Sequence, residues 1–158
     1  MSKLVGTVRK FAASGKESMA ILQITTKSCE ETEKFAEEWG KTLVGGAVVL
    51  LHGDLGAGKT HFVKGLARAL GVDDVITSPT FALHNAYRGA VWTLNHFDFY
   101  RVDSSEEVEL LGLNEFFYDK SGICAIEWSE RITDLLPSSC ISVTLEKNSD
   151  TERKITIS

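Results

Sequence analysis

The stretch GDLGAGKT, residues 53–60, decides how the fold of this chain is predicted. It fits the pattern G-x-x-x-x-G-K-[ST], in which glycines let successive backbone N–H groups turn toward a phosphate and the start of the next helix adds a positive dipole end. In this pattern the lysine reaches the β- and γ-phosphates and the hydroxyl binds Mg²⁺. We therefore predict a nucleotide phosphate site formed by Leu55, Gly56, Ala57, Gly58, Lys59 and Thr60.

The segments on both sides of this loop predict a strand and a helix, which is the context that the motif requires. The run AVVLLH (47–52) is short and apolar, as in a strand that is buried on both faces of a sheet. From Lys59 onward apolar residues recur with helical spacing, and Gly71 is placed to end that helix. An earlier helix is predicted at about 28–43, where Ser28 and Glu31 form a capping-box pattern.

The rest of the chain predicts antiparallel hairpins beside a parallel core. The run GICAIEW (122–128) predicts a second buried strand. Two pairs of segments predict hairpins: 81–87 with 90–100, joined by a tight turn at Arg88-Gly89, and 140–146 with 153–158. We therefore predict an α/β fold of the P-loop NTPase type, with three layers and a mixed sheet that includes antiparallel hairpins.

A phosphate site of this class needs a carboxylate at the end of a neighbouring strand to hold Mg²⁺ and its waters. We predict that Glu127, after the apolar run ICAI, binds magnesium, and that Asp98, in NHFDFYR, positions the attacking water. The alternative is that either acid is solvated or pairs with Arg101 or Arg131. Thr80 in TSPTF is a candidate contact of the γ-phosphate or its magnesium, as in switch loops; the alternative is a plain turn with a solvated Thr80.

The composition is typical of one folded domain and excludes several classes of protein. Hydrophobic residues make up 43% of the 158 residues, but no run of 18 apolar residues could span a bilayer, so we expect no membrane contact. Residues 1–16 contain four basic and no acidic side chains, so the rest of the chain carries a net charge of −9 within the total of −5. An acidic body argues against a broad nucleic-acid surface. Three widely spaced cysteines favour reduced thiols and a cytosolic location over a disulfide framework or a zinc site.

The first twenty residues differ from the remainder in charge and pattern. They lack the apolar core of a signal peptide, and their basic, serine-containing composition also resembles that of an organelle transit peptide. We predict that residues 1–20 form a disordered tail, or result from an upstream start with Met19 as the true one. Residues 21–158 are then predicted to form a single domain.

Five motifs together resemble the TsaE family, formerly called YjeE, of small bacterial P-loop ATPases. They are GDLGAGKT (53–60), SPTF (78–81), HFDFYR (96–101), EEVELLG (106–112) and AIEW (125–128). Their order and spacing are similar to those of the family from about residue 22 to the end. The resemblance covers the predicted domain and leaves out the basic tail.

This resemblance implies a cytoplasmic ATPase that uses ATP and Mg²⁺ and is required for threonylcarbamoyl modification of the adenosine beside the anticodon in tRNA. It implies TsaD and TsaB proteins as partners, with tRNA reached indirectly through their complex. It also implies phosphate and magnesium roles for Lys59 and Thr60, a magnesium role for Glu127 and a role in activity for Asp98. The adenine is expected between the start of the first helix, near Ser28 and Cys29, and a basic residue of the last hairpin, for which Arg153 is the candidate.

Two other functions are considered beside the ATPase. A nucleotide-dependent adaptor, with incidental hydrolysis, would use TSPTF as a switch and the aromatic residues Tyr100, Phe117 and Trp128 as a partner surface. A small-molecule kinase would need a lid and several arginines at the transferred phosphoryl group. Only five arginines follow the loop, and no insertion is long enough for a lid, which argues against the kinase.

Overall fold

A computed structural model describes residues 7–10 and 20–158 of the chain. Its strands are β1 (Thr7–Lys10), β2 (Ala20–Thr26), β3 (Val48–His52), β4 (His84–Tyr87), β5 (Thr93–Asp98), β6 (Gly122–Glu127), β7 (Ile141–Lys147) and β8 (Arg153–Ile157). Its α-helices are α1 (Cys29–Gly40), α2 (Lys59–Ala69) and α3 (Ser105–Leu110), and short 3-10 helices lie at Leu113–Tyr118, Ser129–Arg131 and Thr133–Leu135. Within these residues the strands form one sheet in the order β1-β2-β8-β7-β3-β6-β5-β4.

The sheet has a parallel centre and antiparallel flanks. Strand β3 pairs in parallel with β6 and β7, and β6 pairs in parallel with β5. Strands β4 and β5 form one antiparallel hairpin, and β7 and β8 form another. All six residues of β6 are buried, because both faces of this central strand are covered. The predicted mixed sheet is confirmed.

Two hydrophobic cores, one on each face of the sheet, show that the fold has three layers. Helices α1 and α2 cover one face with a core that includes Phe35, Phe62 and Leu66. Helix α3 and the 3-10 helix 113–118 cover the other face, where Phe97 and Phe117 pack edge to face. The predicted α/β arrangement is therefore confirmed. Phe117, however, is only 1% exposed, so the prediction that it belongs to a partner surface is wrong.

The first helix is capped as predicted but ends earlier. The Ser28 side chain accepts a hydrogen bond from the Glu31 N–H at 3.1 Å, and the Glu31 carboxylate accepts one from the Lys27 N–H at 2.7 Å. The helix stops at Gly40 and not near residue 43, because the Thr42 N–H bonds to the Trp39 carbonyl in a tighter turn.

Helices α1 and α2 approach each other closely at a glycine in the middle of α2. A Cβ atom added to Gly65 would lie 2.2 Å from the Glu33 carbonyl oxygen and 2.6 Å from the Ala36 Cβ. Glycine lowers intrinsic helix stability, so its place here follows from close packing and not from propensity. The helix that begins with Lys59 is thus held firmly against its neighbour.

The connection between β4 and β5 differs from the predicted tight turn. The strands end at Tyr87 and start again at Thr93, which leaves five residues between them. The Ala90 N–H donates to the Gly71 carbonyl and the Val91 N–H donates to the Leu70 carbonyl. The prediction of a tight turn was wrong, because the N–H groups of these residues donate hydrogen bonds to carbonyls at the end of α2 and do not close a short turn.

The N-terminal region contains a strand that the sequence analysis did not predict. Strand β2 is antiparallel to β8, and β1 pairs with β2 at the edge of the sheet. Residues 7–10 thus form a strand within the segment 1–20. Residues 1–6 and 11–19 lie outside the described residues. The predicted disordered tail at 1–20 and the single domain at 21–158 stay predictions. In the described part of the chain, no helix has the length and apolar character needed to cross a bilayer.

Candidate functional site

The candidate site is a cleft of about 990 Å³ at the carboxyl ends of the parallel strands. Its walls come from the start of α1, the loop 53–58, the segment around Thr80, the ends of β5 and β6, and the turn before β8. Ligand sites in open α/β sheets form at this edge, because loops that leave neighbouring strands diverge there. Of the predicted site residues, all except Ala57 line this cleft.

The glycine-rich loop connects β3 directly to α2. Gly56 and Gly58 have φ values of 81° and 102°, which side chains with a Cβ rarely adopt. The N–H groups in the first turn of α2, which begins at Lys59, have no hydrogen-bond partner within the helix. They lie at the positive end of the helix dipole. Of the predicted loop residues, Leu55 is 97% exposed, whereas Ala57 packs into the core. The loop therefore presents backbone donors to the cleft.

Lys59 and Thr60 both line the cleft at the first turn of α2. The Lys59 ammonium group donates to the Gly53 carbonyl at 2.7 Å and lies 5.0 Å from the centre of the Trp128 ring. The carbonyl oxygen accepts a hydrogen bond from the ammonium group, and the face of the ring attracts its positive charge. A phosphate entering the cleft would compete for the same donor.

Two buried carboxylates lie side by side across from the loop. Asp98 and Glu127 are register partners at the ends of the parallel strands β5 and β6, and they are 6% and 4% exposed. Glu127 also pairs in register with Leu51 of β3, the strand that leads into the loop. In the described part of the chain neither acid forms a salt bridge with Arg101 or Arg131. The arrangement brings both predicted acids to the cleft.

Asp98 also anchors the segment that contains Thr80. One carboxylate oxygen accepts hydrogen bonds from the Ser78 and Thr80 hydroxyls, both at 3.2 Å, and the other accepts from the Tyr100 N–H at 3.0 Å. Thr80 is thus brought into the site, but its hydroxyl bonds to Asp98. The plain-turn alternative, with Thr80 solvated, is not what the geometry shows.

Trp128 follows Glu127 in a strained backbone conformation. Its φ of 59° is left-handed, and for a bulky residue such a conformation costs about 1–3 kcal/mol. The strain places its ring over Lys59 and 4.9 Å from the ring centre of Tyr100. Strain of this kind concentrates at functional sites, which agrees with the position of Trp128 on the wall of the cleft.

Arg153 joins the last hairpin to the glycine-rich loop. Its Nε donates to the Ala57 carbonyl and one terminal nitrogen to the Gly56 carbonyl, both at 3.1 Å, while the other donates to the Ser149 carbonyl at 2.8 Å. The arginine lines the cleft as predicted, but its donors hold backbone carbonyls. Because these carbonyls turn toward Arg153, the contacts stabilise one conformation of the loop.

The far end of the cleft lies between the start of α1 and the turn before β8. Ser28, Cys29 and Thr151 line this end, where the adenine is expected. Beside it, Glu33 accepts hydrogen bonds from His61 and Arg68. Burial alone would raise the pKa of Glu33, but these two partners outweigh burial and lower it, so this carboxylate stays ionised.

A sequence model of one protein family matches residues 26–155, and its description is threonylcarbamoyl adenosine biosynthesis protein TsaE. The chain belongs to the TsaE family. It is 41% identical over 136 residues to the tRNA threonylcarbamoyladenosine biosynthesis protein TsaE of Treponema pallidum, a match that covers 86% of this chain and 99% of the relative. It is 39% identical over 138 residues to the TsaE protein of Bacillus subtilis, covering 87% and 85% of the two chains.

A solved structure agrees with membership of the TsaE family. The crystal structure of Bacillus subtilis YdiB is 35% identical in sequence to this chain and superposes with a TM-score of 0.74. The match covers 87% of this chain and 84% of YdiB. The family that the five motifs indicated is therefore confirmed by sequence and by fold.

Several residues of this TsaE site were not predicted from the sequence to belong to it. They are Ser78 and Tyr100 at Asp98, His96 at Glu127, and Trp128 at Lys59. His96 carried a usable signal, because residues two apart on a strand share a face and His96 precedes Asp98 by two. The Ser78 contact depends on how a loop folds back, which no local pattern in the sequence indicates, whereas the Tyr100 contact joins Asp98 to the N–H two residues later, as in an Asx-turn.

The side chains at the centre of the cleft fit a hard divalent cation bound together with phosphate. Thr60 and Glu127 offer oxygen donors, which Mg²⁺ prefers. Among residues 7–10 and 20–158, no cluster of three His, Cys, Asp or Glu side chains could hold a metal alone. Mg²⁺ is usually bound by one or two protein oxygens, waters and substrate phosphates, so Thr60 and Glu127 fit this ion.

Proposed function

We propose that this member of the TsaE family is a magnesium-dependent ATPase that supports a TsaD–TsaB complex during threonylcarbamoyl modification of tRNA, at the adenosine beside the anticodon. The observation that carries the proposal is the register pairing of Asp98 with Glu127 opposite Lys59 and Thr60 in one cleft. Buried carboxylates facing backbone N–H donors, a lysine and a hydroxyl are the parts that phosphoryl transfer requires.

Each part has a distinct task in the proposal. The loop 55–58 and Lys59 bind the phosphates of ATP, and Arg153 keeps the loop in its binding conformation. Thr60 and Glu127 hold Mg²⁺, which neutralises charge on the phosphates when it is bound. Asp98 orients the attacking water and accepts its proton, and the Thr80 hydroxyl moves from Asp98 to the γ-phosphate or its magnesium. These assignments keep every predicted site residue.

Hydrolysis by the isolated protein is expected to be slow, because two arginines of the described residues that could serve the transferred phosphate, Arg101 and Arg131, contact other groups. The Arg101 guanidinium lies 4.4 Å from the ring centre of Phe81, and Arg131 donates to the Val102 carbonyl at 3.4 Å. Arg101 lines the cleft, whereas Phe81 is 84% exposed beside it. A partner that covers Phe81 would release Arg101 toward the phosphates. An added arginine is worth about 10³–10⁵ in rate.

The proposal includes a cytoplasmic location and contact with tRNA only through the partner complex. The net charge of −5 argues against a broad basic surface for the tRNA backbone.

Calorimetric titration with ATP, in Mg²⁺ and in EDTA, tests nucleotide binding. Lys59→Ala removes the phosphate contact and should weaken ATP binding by at least about tenfold, since a hydrogen bond to a charged group is worth about 1.5–3 kcal/mol. Glu127→Gln keeps the shape but loses the charge, so the gain in affinity from Mg²⁺ should shrink. The control is Lys64→Ala on the same helix, which should bind like the wild type. Equal binding by Lys59→Ala and Lys64→Ala would contradict the phosphate site.

Steady-state phosphate release, alone and with TsaD and TsaB, tests the partner-stimulated ATPase. The wild type should be slow alone and markedly faster with both partners. Phe81→Ala should lose stimulation, because the exposed ring that a partner would cover is absent. Full turnover by the isolated chain, unchanged by saturating partners, would contradict a partner-completed site.

The exposed Phe81 and Leu55 at the mouth of the cleft also favour the adaptor alternative. Reconstituted tRNA modification separates the two functions. If an Asp98→Asn protein binds ATP but does not hydrolyse it, and modification still proceeds at the wild-type rate, then binding alone is sufficient and hydrolysis is incidental. Loss of modification supports the ATPase.

A further inference from the structure

His96 is a fully buried histidine on β5 whose polar contact is the Glu127 carboxylate. The exposed fraction of His96 is 0%, and its Nε2 lies 3.3 Å from a carboxylate oxygen of Glu127. It stands two residues before Asp98, on the same face of the strand. No hydrogen-bond partner is present for its Nδ1 within the described residues.

The contact determines which ring nitrogen carries the proton. An ionised carboxylate only accepts hydrogen bonds, so a neutral His96 ring must carry its proton on Nε2 and donate it to Glu127. Nδ1 is then a buried lone pair without a donor, and a group left in this state destabilises a folded protein. An aliphatic side chain would fill the same space without that cost. Packing therefore does not explain the imidazole, whereas its contact with Glu127 does.

A second histidine, on the opposite face of the sheet, shows the contrast. His84, on the neighbouring strand β4, stacks on Phe97 with ring centres 4.5 Å apart, and its Nε2 bonds to Asn95 at 3.0 Å. Its environment is accounted for by stacking and by one amide partner. His84, like His96, is not among the residues that line the cleft. It is half-buried and bonds to Asn95, so it offers a control histidine on the other face of the sheet.

We propose that His96 is a positioning residue for Glu127. By donating to one carboxylate oxygen, it restricts the side chain to one rotamer and leaves the second oxygen free for a cation in the cleft. This inference rests on the proposed function for the identity of the cation as Mg²⁺. The contact between the two side chains does not depend on that function, and it can be measured in the protein without nucleotide.

Nitrogen-15 NMR of the histidine rings in the nucleotide-free protein tests the contact. The His96 ring should carry a proton on Nε2, and Glu127→Ala should shift its Nε2 signal. The His84 signals should stay in place in the same variant. A ring protonated only on Nδ1, or a His96 spectrum unchanged by Glu127→Ala, would overturn the positioning role.

Magnesium titrations of ATP binding test the consequence. His96→Leu removes the donor, and loss of such an outer partner typically weakens metal binding by about 10–100-fold. The magnesium concentration at half-saturation should therefore rise by about that factor, while ATP binding in EDTA stays unchanged. His96→Gln places an N–H group near the position of Nε2 and should recover most of the effect. His84→Leu should behave like the wild type.

The two titration variants also separate positioning from packing. If His96→Gln is as impaired as His96→Leu, or if His96→Leu needs no more magnesium than the wild type, the positioning role is wrong. If the wild type binds no ATP at all, the proposed function fails, but the NMR measurement still decides whether His96 donates to Glu127. Failure of the function and failure of the inference are thus distinguishable.

Discussion

Asp98→Asn is the substitution that best separates catalysis from folding in this cleft. Asp98 accepts from the N–H of Tyr100, which can only donate, and from the hydroxyls of Ser78 and Thr80, which can donate or accept. An asparagine oxygen can accept from Tyr100, and its NH₂ group can donate to both hydroxyls after they rotate. The variant therefore keeps the three contacts and loses the negative charge.

The structure sets the expected size of each effect. A hydrogen bond to a charged group is worth about 1.5–3 kcal/mol and a neutral one about 0.5–1.5 kcal/mol, so three bonds could lose about 3 kcal/mol. Removing a buried charge relieves desolvation, which offsets much of that loss, and we expect a net destabilisation of about 1 kcal/mol. Loss of the base should slow hydrolysis at least about 100-fold. ATP affinity should equal or exceed that of the wild type, because a carboxylate repels the triphosphate.

Three measurements on one preparation check this prediction: urea denaturation, ATP calorimetry and phosphate release with saturating partners. Asp103→Asn, in which an exposed acid five residues later is changed, is the control for removal of one negative charge. Turnover by Asp98→Asn within twofold of the wild type would refute the catalytic role of Asp98. A loss of several kcal/mol in unfolding free energy, with turnover lost in proportion, would show that Asp98 only anchors the loop.

Three further predictions concern stability and reactivity. Gly65→Ala should lower the free energy of unfolding, measured in urea, by about 1–3 kcal/mol, because the new methyl group would lie 2.2 Å from the Glu33 carbonyl oxygen. A more stable variant would show that the higher helix propensity of alanine outweighs the clash and that α1 and α2 are farther apart than described. Burial raises the pKa of the Cys124 thiol to about 12, so this thiol should not react with iodoacetamide at pH 8. Mass spectrometry should find the exposed Cys29 alkylated and Cys124 intact, and equal labelling of the two would contradict the burial of Cys124. Burial lowers the pKa of His84 below its usual 6.5, so the unfolded state binds more protons than the folded state as pH drops from 7 to 5.5, and the free energy of unfolding should fall. The fall should be smaller for His84→Gln. An identical pH profile for this variant and the wild type would contradict the prediction.

The elements next to the site were predictable because their signals are local. The apolar runs of β3 and β6 are both fully covered strands, and the glycines before Lys59 occupy the left-handed conformations that the motif requires. Ser28 caps α1 as its spacing to Glu31 predicts. Family membership followed from the same motifs, because they carry order and spacing as well as composition.

The unpredicted features depend on residues that are distant in sequence. Strand β2 contains polar Gln23 and Thr25, and its pairing with β8 joins residues 133 positions apart, as in the bond between Gln23 and Thr156. The turn between β4 and β5 has its form because carbonyls at the end of α2 need donors. The bond from His96 to Glu127 requires the register of β5 on β6, which a single sequence does not contain. The contacts of Arg153 with the loop have the same origin.

The position of β8 between β2 and β7 has a consequence for the order in which the molecule assembles. Strand β2 emerges early in synthesis, but the partner that attaches it to the sheet is made almost at the end. The edge of β2 that faces β8 therefore keeps its backbone donors and acceptors unpaired while more than a hundred residues are added. Arg153, which supports the glycine-rich loop, belongs to the same late strand. Long-range closure of this kind slows folding and exposes strand edges to association. Until β2 and β8 pair, a chain on the ribosome therefore lacks the Arg153 contacts that support the glycine-rich loop.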